Sequence, residues 1–90
     1  MRDLLMETKT GEDQEGRVHT FDYYVLVDEL RLGESLACES YGVKVASPEG
    51  GEAAIPNITT SLRRIDALME LLTRNLVTPT ALRDVVDDWL

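Results

Sequence analysis

The sequence predicts an α+β domain, an antiparallel meander sheet of three or four strands with two C-terminal helices packed on one face. Three observations carry this reading. Residues 17–28 alternate with the period of a strand, and turn signals bracket the strand-forming segments at Gly11-Glu12-Asp13-Gln14-Glu15-Gly16 and Ser47-Pro48-Glu49-Gly50-Gly51. Beyond Asn57 the apolar period becomes helical, interrupted at Thr78-Pro79. A chain of 90 residues builds one modest core, so residues 1–90 form a single domain, with strands within 1–56 and a helical hairpin over 59–90.

Taken in order, Met1 to Thr10 mixes Leu4, Leu5 and Met6 with polar residues and is compatible with a first strand, although it alternates poorly. The glycine-bracketed segment 11–16 reads as a hairpin loop, since glycine supplies the positive backbone angles of a turn. Its acids lack the ligand spacing, central glycine and terminal glutamate of a calcium loop. Arg17 to Asp28 is the clearest strand, with Phe21, Tyr23, Val25 and Val27 on the core face and Thr20, Asp22, Tyr24, Leu26 and Asp28 opposite. Leu30 to Gly33 reads as a connection. A further strand over about 36–46 sets Tyr41, Val43 and Val45 against Leu36, Cys38, Ser40, Gly42 and Lys44; Glu39 on the apolar side suggests a bulge or a later start. Glu52 to Ile55 fits a short edge strand stopped by Pro56.

The helical third starts among the capping residues Asn57 to Ser61. Leu62, Ile65, Leu68, Met69, Leu72 and Leu76 recur at helical spacing. Thr78 can cap a second helix and Pro79 fits its first turn, where the missing N–H is not needed. Leu82, Val85, Val86 and Trp89 form the stripe of that helix, which makes Trp89 a core residue next to the end of the sequence.

A formal net charge of −8 argues against nucleic acid and acidic membrane surfaces as partners, because phosphate binding draws on clustered Lys and Arg. The acidic excess lies mostly before Asn57, while Arg63, Arg64, Arg74 and Arg83 nearly balance the helical part. A single cysteine, Cys38, permits no internal disulfide and suits a reducing cytoplasm. Neither a signal peptide nor a membrane span is expected, which places the protein in the cytoplasm.

Candidate chemistry is sparse. His19 has no ligand set or nucleophile beside it in sequence. Asp84, Asp87 and Asp88 share one helix, where a solvated polar face accounts for them as well as a cation does. Thr59, Thr60, Ser61, Arg63 and Arg64 surround the start of the first helix and define a possible anion site, with capping as the plainer use of the hydroxyls. No triad, zinc spacing or phosphate loop is present, so neither a catalytic residue, a metal nor a cofactor is expected, and the chain does not read as an enzyme. A helix–turn–helix reading to DNA fails on the acids of the second helix. Tyr24 and Leu26 sit at the centre of the outer sheet face, and Leu36 and Cys38 extend them into an expected apolar interface rimmed by Asp22, Asp28 and Lys44.

Tyr41-Gly42-Val43, Asn57-Ile58, and the run from Leu71-Leu72 through Val77-Thr78-Pro79 to Leu82 and Asp84-Val85 resemble a family of small bacterial proteins, the domain of unknown function 6514. The resemblance covers the chain from about Tyr23 onward and implies no activity, cofactor or catalytic residue. The expected role is a non-enzymatic regulatory or protein-interaction module, self-associating through the uncovered sheet face or an edge strand. The alternative is a small-ligand or anion-binding domain using the N-terminus of the first helix.

Overall fold

The computed structural model describes residues 1–12, 14–31 and 33–90. Four strands, β1 (Arg2–Glu12), β2 (Val18–Arg31), β3 (Ala37–Ala46) and β4 (Glu52–Thr59), precede α1 (Leu62–Arg74) and α2 (Leu82–Trp89). The strands form one antiparallel sheet in the order β1-β2-β3-β4, the meander and α+β class that the sequence predicts. The molecule is elongated, 54 × 23 × 17 Å, and its longest strand, β2, has 14 residues.

The core lies between the helices and the inner sheet face. Phe21, Tyr23, Val25 and Val27 of β2 and Val43 and Val45 of β3 meet Ile65, Leu68, Met69 and Leu72 of α1, Leu82 and Val86 of α2, and Val77 between the helices. α1 packs over β2, β3 and β4, and α2 over β4. Trp89 is half-buried against this core, with the Arg64 guanidinium 4.6 Å from its ring centroid.

Ser61 caps α1 by accepting from the Arg64 N–H at 3.2 Å. At the other end Val77 N–H donates to Leu72 O at 3.0 Å and Leu76 N–H to Thr73 O at 3.3 Å, the paired bonds of a Schellman motif. Leu76, expected to continue the stripe of α1, instead takes the left-handed position at φ 50°, where glycine is usual. Thr78 does not cap α2 either, whose N-cap is Ala81. The Thr78 carbonyl and hydroxyl both accept from the Ala81 N–H, at 3.1 and 3.3 Å, and close a separate turn around Pro79. Helical bonding begins only when Val85 N–H reaches Ala81 O, so α2 starts at Leu82.

The strands also depart from the sequence reading. β2 continues through Leu30 and Arg31, which pair with Cys38 and Ala37, so the first half of the expected connection is ladder; Leu32 lies outside the described residues, and Gly33 follows the strand. Glu39 marks neither a bulge nor a late start. It pairs in register with Glu29 near the end of the sheet and stays exposed, where Arg2 meets it at 2.9 Å. The poor alternation of β1 has a local cause: the register shifts between Leu5 and Glu7, so Met6 occupies a bulge and the phase changes across it. β4 likewise runs past Pro56, with a register shift before Thr59 and Asn57 at φ 55°.

Candidate interaction surface

The outer sheet face is less open than its alternation implies. Lys44 lies over Tyr24, its ammonium 4.7 Å from the ring centroid, and reaches Asp3 at 2.8 Å and Glu52 at 3.4 Å. The hydrogen bond to Asp3 is the leading cause that raises the Lys44 pKa. Leu26 is 3% exposed and not open to solvent, which corrects the expectation of a bare apolar centre. Its cross-strand neighbour is Gly42, over which the backbone of Ile55 and Pro56 crosses closely; a methyl group at Gly42 would stand 2.6 Å from Pro56 Cα. The bulged end of β4 thus occupies space beside Leu26 that the sequence pattern assigns to solvent.

Leu36 and Cys38 do not extend this region. Leu36 is exposed in the connection before β3, and half-buried Cys38 pairs with Leu30 rather than with anything near Tyr24. Tyr24 pairs with Lys44, six positions along β3 from Cys38, which at strand spacing is about 20 Å. The four residues therefore do not form one patch.

The start of α1 brings Thr59, Thr60, Ser61, Arg63 and Arg64 together, yet much of its polar capacity is used internally. Thr59 Oγ1 accepts from Ser61 N–H at 3.1 Å, Ser61 Oγ caps Arg64 N–H, and the Arg64 guanidinium stacks on Trp89. Thr60 and Arg63 remain exposed. His19 sits half-buried with its ring 6.3 Å from that of Phe21 and its Nδ1 3.9 Å from a Glu49 carboxylate oxygen. Among the described residues no group of three or more His, Cys, Asp or Glu side chains is placed to hold a metal ion.

A recess of about 220 Å³ at one end of the sheet is lined by Met1, Arg2, Val27, Asp28, Glu29 and Glu39. Most of its polar groups are acidic, and the Arg2–Glu39 ion pair lies within its lining.

The sequence allows association through an edge strand without saying which, and the exposed apolar side chains gather at β1. Met1, Leu4, Leu5 and Met6 are 44 to 67% exposed and make up half of the large exposed apolar side chains among the described residues. β1 is an edge strand paired on one side only, and the helical layer lies over the other three strands. Leu4 lies opposite Val25 on the helix side of the sheet and Leu5 opposite Tyr24 on the outer side. A signal was present: three consecutive apolar residues in a strand cannot all point into one core, because neighbours face opposite ways.

A two-layer α+β domain with one bare apolar edge is the class that this geometry defines. The chain belongs to the family of unknown function DUF6514, whose profile matches residues 2–90, so the likeness noticed from Tyr23 onward includes β1 as well. No curated protein and no solved structure matches it. No helix among the described residues is long and apolar enough to cross a membrane.

Proposed function

We propose that this protein is a non-enzymatic protein-interaction module of the cytoplasm, and that β1 is its binding element. The observation that supports this most is the concentration of Leu4, Leu5 and Met6, all exposed, on an edge strand outside the three strands that α1 and α2 chiefly pack over. An unpaired edge offers a row of main-chain donors and acceptors, and flanking apolar side chains add area when a further strand joins. The runner-up, an anion site at the start of α1, is weakened by the internal use of Ser61, Thr59 and Arg64 described above.

The test is affinity capture from host lysate with the unmodified protein, with Leu5→Lys/Met6→Lys and with Arg63→Glu. Both changes fall on exposed residues and leave the core intact. Capture that is lost with the β1 pair and kept with Arg63→Glu supports the reading. Capture that survives the β1 change assigns the interaction elsewhere, and loss with Arg63→Glu alone favours the anion site.

A further inference from the structure

The β1 edge is also patterned for a particular occupant, and the pattern lies in its charges. Arg2 and Lys9 stand against Asp3, Glu7 and Glu12, so this strand is close to neutral in a chain of net charge −8. Glu7 and Lys9 lie opposite Tyr23 and Phe21, on the helix side of the sheet, and neither has an ion-pair partner among the described residues. Thr8 lies between them on the outer side, opposite Asp22.

We infer that β1 pairs antiparallel with β1 of a second copy about a two-fold axis at Thr8, joining two sheets into one of eight strands. This rests on the reading of β1 as the binding element. A two-fold axis perpendicular to a sheet sets residues of the same face opposite each other, so it passes through a residue position of β1, and charge discriminates among the positions around the middle of the strand. An axis at Leu5 opposes Arg2 to Lys9. An axis at Glu7 or at Lys9 opposes that residue to its own copy. The axis at Thr8 sets Glu7 of each copy against Lys9 of the other, forming two cross-strand pairs of opposite charge inside the regular stretch beyond the bulge.

The same register is favourable further out. Leu4 falls opposite the partner's Gly11, the residue over which the Leu76 side chain packs, so an exposed leucine gains an apolar neighbour. Leu5 falls opposite the partner's Thr10. Asp3 meets the partner's Glu12, a like-charge contact, but Lys44 already holds Asp3 at 2.8 Å. Repulsion between the acidic remainders of the two chains is screened over about 8 Å at physiological salt.

Sedimentation equilibrium of the full chain and its charge variants tests the inference, with circular dichroism as a check on folding. The unmodified protein is expected to be a dimer at about 10–100 μM. Lys9→Glu and Glu7→Lys each replace opposite pairs by like pairs and are expected to weaken the dimer by about ten- to thirty-fold. Glu7→Lys/Lys9→Glu restores the pairing with its signs exchanged and is expected to return the dimer. If a single variant does not fold, Thr8→Lys sets two lysines across the axis from an exposed position opposite Asp22 and is expected to give a monomer. A monomeric unmodified protein, a dimer indifferent to these changes, or a double variant no better than the single ones overturns the inference. Capture of a different protein through β1 in the lysate experiment would still uphold the broader reading, so the two failures are distinguishable.

Discussion

Tyr23 joins the two layers through one polar contact. Its side chain is fully buried and its hydroxyl donates to Val77 O at 2.9 Å, across 54 residues of sequence. Tyr23→Phe leaves that carbonyl without its donor and is expected to cost about 1 to 2 kcal/mol in urea unfolding. Burial, with a smaller contribution from the Glu7 carboxylate, pushes the Tyr23 pKa from 10.0 up to about 12. A raised folded-state pKa means that the unfolded chain loses this proton first, so the contribution is complete below pH 10 and is lost as pH rises to about 12. Over that window the unmodified protein should lose about 2 to 3 kcal/mol more than Tyr23→Phe, measured as the difference between their stability–pH curves. Gly42 is constrained by space instead. A methyl group there meets the Ile55 carbonyl and Pro56 Cα, main-chain atoms that cannot rotate away. Gly42→Ala is therefore expected to destabilise by about 1 to 3 kcal/mol, and a denaturation midpoint equal to that of the unmodified protein would contradict the crossing of β4 over β3.

At the scale of elements, the end of α1 shows two local preferences in opposition. Leu76 sits at φ 50°, a conformation costing a branched side chain roughly 1 to 2 kcal/mol, yet that side chain packs over Gly11 of β1 and against the core. Leu76→Gly removes strain and contact together, so global stability is expected to move by less than about 1 kcal/mol. Amide exchange around Gly11 should accelerate markedly, because the contact that ties β1 to the helical layer is gone; unchanged exchange would show that β1 is held by β2 alone. α2 has an Ala81 N-cap that makes no side-chain capping bond, and its stability rests on packing. Trp89→Ala removes a half-buried ring and its Arg64 contact and is expected to lower the thermal midpoint by several degrees, following a loss of about 1 to 2 kcal/mol.

For the whole molecule, charge sets the expected partners. At −8, with Asp84, Asp87 and Asp88 on its last helix, the protein is expected not to bind random duplex DNA or RNA at physiological salt; micromolar, salt-sensitive binding by fluorescence anisotropy would overturn this. Elongation is relevant to association as well. A 54 Å body whose bare edge runs along β1 can add a strand without moving its helices, because they lie over the other three strands.

The sequence by itself determined the class and order of the elements. Alternation over β2, turn chemistry at Gly16 and Gly50-Gly51, and helical spacing over Ile65 to Leu72 are local patterns, and each was legible because one buried face dictates a period. Trp89 was legible as a residue packed on the core for the same reason. The bulges were not. Met6 shifts the phase of β1 and the β4 irregularity carries Pro56 over Gly42, and both depend on the neighbouring strand, whose register no short window of sequence contains. That is why alternation predicts an exposed Leu26 where the structure buries it, and why the exposed apolar side chains gather on β1 instead of at the sheet centre. At Leu76 and Thr78, likewise, helical spacing describes a stripe but not where main-chain bonding stops, which here is decided by a left-handed leucine held against Gly11. Tertiary structure decided which apolar residues remain bare, because exposure depends on what lies across the sheet.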